Sequence, residues 1–152
     1  MDKISVVITC YKEGELLLRA INSVENHTDN NFEILIVNDA SMDDVTNKIC
    51  HELERENKAR IIWRKKNGGL SAVRNSSYEA MQGDICVSLA ADDILPQGTI
   101  GAIRKGFIKT PEADFVFGNY ILRKIKEGTE ELIDTSVFLF FRRILGSQKI
   151  NL

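Results

Sequence analysis

Gly83-Asp84-Ile85-Cys86-Val87-Ser88-Leu89-Ala90-Ala91-Asp92-Asp93 is the stretch of the sequence that decides the fold. The apolar run from Ile85 to Leu89 predicts a buried β-strand, because aliphatic and β-branched residues dominate it and Gly83 interrupts the chain before it. Two adjacent carboxylates, Asp92 and Asp93, follow the strand. In α/β proteins, ligands bind just beyond the carboxyl ends of parallel strands. The stretch therefore predicts a central strand that ends in oxygen ligands suited to a divalent cation and a phosphate group.

The same two aspartates have a second, purely structural interpretation. Asp is common at the start of a helix, and Pro96 follows closely, so Asp92 and Asp93 could simply open the next helix. For an isolated Asp-Asp pair this interpretation would be preferred. The other predicted strands also end in polar residues, and this shared pattern favours the ligand interpretation.

The composition is that of one soluble globular domain. The chain has 152 residues, of which 43% are hydrophobic and 28% are charged, and this length is sufficient for a substantial core. A net charge of −2 gives no global reason to expect a nucleic-acid partner. We interpret the one local group of basic residues as a solvated sheet edge: Arg55, Lys58, Arg60, Arg64, Lys65 and Lys66.

Two further features bear on the compartment. No stretch approaches the ~20 apolar residues that a transmembrane helix requires, and the N-terminus has no apolar segment of signal-peptide length. Cys10, Cys50 and Cys86 are odd in number and form no Cys-x-x-Cys pair, which predicts reduced thiols in a cytoplasmic protein. His27 and His51 are isolated, and we expect both at the surface.

Strand and helix patterns alternate along the chain. Near-continuous apolar strands separated by amphipathic helices predict a mainly parallel sheet that is covered by helices on both faces, a Rossmann-like α/β layer. After Thr110-Pro111 the pattern changes, with predicted strands over 114–118 and 119–125, a turn over 126–129 and a short return over 131–134. We expect the part after residue 118 to form a small antiparallel appendage. We therefore divide the chain into an α/β domain, residues 1–118, and a second region, residues 119–152. The predicted parallel strands are 4–9, 32–37, 60–64 and 85–89.

Polar side chains gather where the predicted strands end. An aromatic ring such as Tyr11 can stack on a nucleobase, and a carboxylate such as Asp39 can accept a base N–H. Asp92 and Asp93 can bridge Mg²⁺ or Mn²⁺ to a diphosphate, and Arg74 can add a positive charge. Each residue alone is explained equally well by packing, a turn or a surface position, so the joint placement is the signal. The residues after the first two strands are Thr9, Tyr11, Glu13, Asn38, Asp39 and Ser41.

Competing motifs are absent from the sequence. No Gly-x-Gly-x-x-Gly follows the first strand, as a dinucleotide-dependent dehydrogenase would require, and there is no Gly-x-x-x-x-Gly-Lys-Ser/Thr phosphate loop. The chain also lacks the nucleophile-elbow sequence of a Ser-His-Asp hydrolase.

Four segments of the chain, in order, resemble the successive signatures of the family 2 glycosyltransferases, nucleotide-sugar-dependent enzymes with the GT-A fold. The resemblance covers roughly residues 3 to 120. The segments are Val6-Val7-Ile8-Thr9-Cys10-Tyr11-Lys12, Ile36-Val37-Asn38-Asp39-Ala40-Ser41-Met42-Asp43, Asn67-Gly68-Gly69-Leu70-Ser71-Ala72-Val73-Arg74-Asn75 and Leu89-Ala90-Ala91-Asp92-Asp93.

The resemblance implies an inverting transferase that moves a sugar from a nucleotide diphosphate donor, commonly UDP-linked, to a hydroxyl of a glycan or lipid-linked acceptor in polysaccharide synthesis. It implies a Mg²⁺ or Mn²⁺ cofactor held by Asp92 and Asp93, and no nucleic-acid partner. A lipid-linked acceptor would place the protein at the inner face of the membrane by peripheral association. The implied nucleotide-binding residues are Thr9, Tyr11, Glu13, Asp39, Arg74 and Asp92.

The sequence departs from the family pattern at three positions. Asn38 and Ala40 stand where Asp and Gly are common, and Ala90 stands where the first Asp of the Asp-x-Asp element is usual. No Glu-Asp pair follows Asp93 to provide the family's catalytic base, so the base is unassigned. We interpret the late carboxylates as solvated turn residues: Glu130, Glu131 and Asp134.

The apolar segment 137–145 is unusual near a terminus. We expect a strand or helix that packs on an acceptor-side half, in preference to a partner chain, a second copy of this chain or a membrane surface. The leading interpretation is the donor-binding portion of a glycosyltransferase. A non-catalytic nucleotide-sugar-binding module is the alternative, supported by Ala90 and the missing base. A nucleotidyltransferase ranks last, because residues 10–14 provide only one Lys and one Gly for a phosphate loop.

Overall fold

The computed structural model describes the backbone of residues 2–124 and 129–142, and side chains as far as residue 119. Six strands form one sheet, and four helices connect the first five strands. The strands are β1 (Ile4–Cys10), β2 (Phe32–Asn38), β3 (Arg60–Trp63), β4 (Ile85–Ala90), β5 (Phe115–Lys124) and β6 (Thr129–Arg142). The helices are α1 (Leu16–Glu25), α2 (Asp44–Arg55), α3 (Gly69–Ala80) and α4 (Thr99–Lys109).

The strand order in the sheet is β3-β2-β1-β4-β6-β5. Strands β1 to β4 pair in parallel, while β6 runs antiparallel to both of its neighbours, β4 and β5. The order reverses between β1 and β4, because successive connections move outward from β1 to β3 and then return to its other side. Such a reversal opens a crevice at the carboxyl ends of the strands. The predicted sheet, parallel in its main part and flanked by helices, is confirmed.

The two faces of the sheet bury different helices, which the apolar strands require because both of their faces must be covered. On one face, alternate strand residues such as Val6 and Ile36 pack with the apolar sides of α1, α2 and α4. On the other face, Val7, Leu35 and Cys86 pack around Met81, at the end of α3. The central strands β1, β2 and β4, which carry the site at their carboxyl ends, are thus covered on both faces.

The C-terminal strands differ from the sequence prediction. β5 is one strand, Phe115–Lys124, with a register shift between Gly118 and Tyr120, where two strands, 114–118 and 119–125, were predicted. β6 has 14 residues instead of a short return, and Cys86 of β4 pairs with Phe141. The antiparallel pair is therefore part of the main sheet, and its hairpin extends past the carboxyl end of β4. Residues 126–128 of the predicted turn, 126–129, lie outside the described residues, and the domain division at residue 118 stays a prediction.

The apolar segment forms a strand as far as residue 142, and residues 143–145 lie outside the described residues. Its backbone pairs with β4 through residues 140–142 and with β5 through residues 138–141. It therefore completes the sheet of this chain itself. The late carboxylates Glu130, Glu131 and Asp134 also lie within β6, so their assignment to a turn was wrong. Its polar residues fall in two blocks, 129–131 and 134–136, and this pattern lacks the alternation that would have indicated one long strand.

No helix among the described residues has the length and apolar character needed to cross a bilayer. Cys10, Cys50 and Cys86 are free and buried. His51 stacks on Trp63, with 4.3 Å between the ring centroids. The expectation of a surface position was wrong for His27, which is only 6% exposed. Burial lowers the pKa of its imidazole.

Candidate functional site at the carboxyl ends of the strands

Backbone hydrogen bonds hold the loops after the four parallel strands side by side. The Asp39 N–H donates to the Cys10 carbonyl (3.0 Å), and the Ala91 N–H donates to the Thr9 carbonyl (3.1 Å). The Arg64 N–H donates to the Asn38 carbonyl (3.0 Å). Each bond continues the parallel ladder by one residue beyond a strand end. The loops therefore meet at one edge, as the sequence predicts, and Thr9 lies at the junction of β1, β2 and β4.

The loop after β1 is closed by its own carboxylate. Glu13 Oε2 accepts hydrogen bonds from the backbone N–H groups of Tyr11 (2.5 Å) and Lys12 (2.9 Å). The Lys12 ammonium lies 4.9 Å from the centroid of the Tyr11 ring, in a cation–π contact. Glu13 thus orders the turn that presents Tyr11. The aromatic ring is partly exposed and remains a suitable stacking surface for a base.

The loop after β2 is held by the buried amide of Asn38 and by Asn47, a residue that the sequence analysis did not single out. Asn38 is 1% exposed; its Oδ1 accepts from the Ser41 N–H (2.8 Å), and its Nδ2 donates to Asn47 Oδ1 (2.9 Å). Ala40 has a φ of +56°, a left-handed conformation that favours glycine. The two departures from the family pattern thus have separate consequences. Asn38 is fully accommodated, whereas Ala40 is strained.

Asp39 is the most heavily engaged of the predicted site residues. Its Oδ1 accepts from the Gly68 N–H (3.0 Å), and its Oδ2 accepts from the Gly69 N–H (2.9 Å). The Arg64 Nε lies 2.8 Å from Oδ1 in an ion pair. Gly68 precedes α3, and its N-cap position has no side chain that could accept these bonds. Asp39 therefore supplies the cap of α3 from a neighbouring loop, at the end of the helix where the dipole favours negative charge.

Arg64 was missed by the sequence analysis, which assigned it with Arg60 to a solvated basic edge. The structure corrects this for both residues. Arg60 pairs with Glu33 Oε2 (3.2 Å), and Arg64 pairs with Asp39 while its side chain is only 17% exposed. The usable signal was position, because Arg64 directly follows β3 and therefore belongs to the same edge as the predicted site.

Arg74 lies in the second turn of α3 and is exposed. Its positive charge lowers the pKa of the Cys86 thiol, although burial has the larger effect and raises that pKa to about 12. Arg74 therefore lies over the face of the sheet that α3 covers. Among the described side chains, it forms no hydrogen bond or ion pair with Asp39, Asp92 or Asp93.

Asp92 and Asp93 form an exposed turn after β4, closed by a hydrogen bond from the Asp93 N–H to the Ala90 carbonyl (3.0 Å). Partial burial, and then the charge of Asp92, raise the pKa of the Asp93 carboxyl. Within residues 2–119, no group of three His, Cys, Asp or Glu side chains is arranged to hold a metal ion. Two carboxylates nevertheless fit Mg²⁺ or Mn²⁺, because such cations bind through one or two carboxylates, substrate phosphates and water. The mutual repulsion of the pair is relieved by a cation.

A groove of about 670 Å³ also opens at the opposite edge of the sheet, between the starts of β1, β2 and β3. Several of its charged lining residues are already paired: Glu33 with Arg60, and Lys58 with the neighbouring Glu56. This groove therefore presents few polar groups that are free to bind a ligand. The carboxyl-terminal edge is the stronger candidate site.

The sequence of the chain matches the family described as "Glycosyl transferase family 2" over residues 5–151. It is 30% identical, over 145 residues, to glycosyltransferase GlyA of Streptococcus pneumoniae serotype 4, which covers 95% of this chain and 19% of that protein. It is 28% identical, over 120 residues, to glycosyltransferase GlyG of the same organism, covering 78% of this chain and 39% of that protein. The chain thus spans well under half the length of these relatives.

The fold is similar to solved glycosyltransferases of GT-A type. Staphylococcus aureus TarS, residues 1–349, in complex with UDP-GlcNAc superimposes with a TM-score of 0.66 and 22% identity, over 76% of this chain and 33% of that one. The mannosyltransferase PcManGT from Pyrobaculum calidifontis, in complex with GDP-Man and Mn²⁺, gives a TM-score of 0.70 and 15% identity, over 93% of this chain and 45% of that one. These likenesses confirm the predicted fold class.

Proposed function

Because the chain belongs to glycosyltransferase family 2, we propose that its carboxyl-terminal sheet edge binds a UDP-linked sugar for inverting transfer to an acceptor hydroxyl. The acceptor class is a glycan or a lipid-linked glycan in polysaccharide synthesis. The observation that supports this most directly is the convergence of four loops, in which Tyr11, Asp39 and the Asp92–Asp93 pair meet at one edge. The matches to proteins named glycosyltransferases support the reaction class.

The chain's own residues have distinct proposed roles in holding the donor. The Tyr11 ring stacks on the base, Asp39 accepts the imide N–H, and Thr9 and Glu13 shape the pocket wall around the ribose. Arg74 provides positive charge from α3 toward the diphosphate. Two backbone N–H groups donate to Asp39 and Arg64 forms an ion pair with it, whereas a carboxylate offers about four lone-pair sites. One further donor, such as a uracil N3–H, can therefore be accommodated.

Asp92 and Asp93 would hold the divalent cation. When bound, Mg²⁺ or Mn²⁺ supplies Lewis-acid stabilisation of the leaving diphosphate. The similarity to PcManGT, which was solved with GDP-Man and Mn²⁺, supports a cation at this edge. An inverting displacement also needs a base that accepts the proton of the acceptor hydroxyl. We assign that role to no residue among those described.

The proposal includes a cytoplasmic location, at the inner face of the membrane where the acceptor is lipid-linked. Three free cysteines support a reducing compartment. It also includes a division of labour, in which residues 1–118 bind the donor and residues 119–152 begin the acceptor side.

Calorimetric titration of UDP into the full chain tests the donor site. We expect binding in the presence of Mn²⁺, and weaker binding once the cation is removed by a chelator. Asp92→Ala should abolish the dependence on the cation. Glu112→Gln is the matched control, because Glu112 is an exposed carboxylate just before β5, at the opposite edge of the sheet. Absence of UDP binding with either Mn²⁺ or Mg²⁺ would contradict the proposal. Binding of GDP or dTDP in place of UDP would show that the site recognises a different nucleobase.

A non-catalytic nucleotide-sugar-binding module is the second candidate, favoured by Ala90 and by the unassigned base. The two candidates agree on UDP binding and differ on turnover. Release of UDP from UDP-GlcNAc in the presence of a glycan acceptor, measured by a coupled assay, would exclude the binding module.

A further inference from the structure

The side chain of Arg64 connects three parts of the candidate site. Its Nε pairs with Asp39 Oδ1 at 2.8 Å. Its Nη1 donates to the Ala72 carbonyl (2.8 Å) and to Ser76 Oγ (2.5 Å), both in the first two turns of α3. The guanidinium thus lies between the loop after β2 and the body of α3, with five N–H donors in a fixed plane.

The glycine turn before α3 completes this unit. Asp39 accepts from Gly68 and Gly69, while a Cβ added at Gly68 would collide with Arg64 Nη2. Gly69 has a φ of +74°, which few other residues adopt without strain. The close approach of Arg64 therefore requires glycine at position 68, and the conformation of the turn requires glycine at position 69.

We propose that Arg64 is a positioning residue for donor recognition, which fixes the Asp39 carboxylate and orients α3 so that the base-binding and phosphate-binding sides of the site are held together. The inference rests on the proposed function. Asp39 is 7% exposed in its side chain, so its charge has little access to water and is compensated by Arg64 together with the two glycine amides. A buried charge pair of this kind is strongly coupled, so the orientation of Asp39 depends on Arg64.

A matched control exists at the other end of the same strand. Arg60, the first residue of β3, binds Glu33 and donates to the Ala80 carbonyl (2.5 Å) at the last turn of α3. Arg60 and Arg64 thus attach opposite ends of α3 to the sheet, each through one carboxylate and one helix carbonyl. Arg60→Met loosens α3 without removing any contact of Asp39.

The test compares UDP with CDP, because cytosine lacks the imide N–H that Asp39 would accept. We expect Arg64→Met to lower the ratio of UDP affinity to CDP affinity roughly tenfold, the size expected for a charged hydrogen bond. Arg60→Met should preserve the ratio, and Arg64→Lys should restore it in part. If the role of Arg64 were purely structural, its loss would weaken the binding of UDP and CDP equally. An unchanged ratio of UDP affinity to CDP affinity in Arg64→Met would therefore overturn the inference.

A ligand-free measurement separates this inference from the proposed function. Amide hydrogen exchange of Gly68 and Gly69, followed by NMR, should accelerate in Arg64→Met and stay slow in Arg60→Met. Unchanged exchange in Arg64→Met would overturn the positioning role whether or not UDP binds. Accelerated exchange in a chain whose wild type does not distinguish UDP from CDP would support the ordering of the turn and contradict the proposed role of Asp39. Urea unfolding of each variant checks that it is folded during these measurements.

Discussion

At the amino-terminal edge of the sheet, Arg104 donates to both carboxylate oxygens of Asp29, at 2.7 and 3.0 Å. At the carboxyl-terminal edge, Asp92 and Asp93 lie exposed beside each other, and the charge of one raises the pKa of the other. The first edge neutralises its charges internally. The second keeps like charges together, an arrangement that a bound cation would stabilise.

The contrast extends to neutral groups. At the amino-terminal edge, Glu33 accepts from Ser5 Oγ (2.5 Å) and the Gln82 N–H (2.6 Å), and Ser5 Oγ accepts from the Gly83 N–H (2.8 Å). At the carboxyl-terminal edge, Glu13, Asn38 and Asp39 are comparably engaged, whereas Asp92 and Asp93 are exposed. One edge therefore serves stability, while the other combines an ordered support with exposed polar groups. This division is common in α/β proteins, whose ligands bind at the carboxyl ends of strands.

The largest expected effect is at the amino-terminal edge. Arg104→Met should lower the free energy of unfolding by about 3 kcal/mol, since it removes two hydrogen bonds from a buried guanidinium to the partly exposed carboxylate of Asp29. It would also remove the hydrogen bonds that the Asp2 and Asn31 carbonyls accept from the same guanidinium. Urea denaturation measures the change. Lys105→Met, at an exposed position on the same helix, should change the free energy of unfolding little. Equal losses of stability in the two variants would show that the Arg104–Asp29 pair does not stabilise this edge.

The next largest effect is expected for Gly83→Ala, also at the amino-terminal edge. An added Cβ would lie 2.6 Å from the Ser5 nitrogen and 2.7 Å from the Lys3 carbonyl oxygen, both rigid backbone atoms. We expect a loss of about 1–3 kcal/mol or more, as in other overpacked cores. Gly101→Ala, in α4 with open space around it, should instead gain up to about 1 kcal/mol from helix propensity. A tolerated Gly83→Ala would show that this edge is less closely packed than the structure indicates.

Ala40→Gly concerns the carboxyl-terminal edge. Relief of the left-handed conformation should gain about 1–2 kcal/mol, offset by about 0.4–1 kcal/mol of unfolded-state entropy. The net expectation is a stabilisation of about 0.5–1 kcal/mol in urea denaturation. Ala113→Gly, in a turn without positive φ, should destabilise. Destabilisation of both variants would contradict the assigned strain.

The sequence was sufficient to predict the parallel part of the sheet and the edge at which the candidate site lies. Continuous apolar strands must be buried on both faces, and loops such as those containing Asp39 and Asp92 then converge by topology. It was insufficient to predict the role of Arg64, because nothing in the sequence distinguishes it from five nearby basic residues. Only the fold places carboxylates beside Arg60 and Arg64. The length of β6 was missed for a related reason, since its pairing with β4 joins residues that are more than fifty positions apart.

The smallest expected effect is a difference in pH dependence between the edges. A hydrogen bond from Arg104 is the main cause that lowers the pKa of Asp29. Asp29 therefore stabilises the fold above its unfolded pKa of 3.8, and this contribution is lost as the pH falls through its lower folded pKa. The contribution of Asp93 to stability has the opposite pH dependence. Because its pKa is raised in the folded state, its charge destabilises the fold at neutral pH, and protonation at low pH removes this effect. Because Asp93 is exposed, solvent screening limits its effect to within about 0.5 kcal/mol.

Two substitutions therefore sharpen the comparison. Asp29→Asn should reduce the loss of stability between pH 5 and pH 2, measured by urea unfolding at each pH, whereas Asp92→Asn should lower the pKa of Asp93 in a carboxyl NMR titration. The second shift should be absent in Asp114→Asn, an exposed control outside the turn. If Mg²⁺ also lowers the apparent pKa of Asp93 in the wild type, and fails to do so in Asp92→Asn, the like-charge pair acts as one cation site. If neither Asp92→Asn nor Mg²⁺ changes the pKa of Asp93, the two carboxylates do not interact. The proposed difference in charge between the two edges would then be wrong.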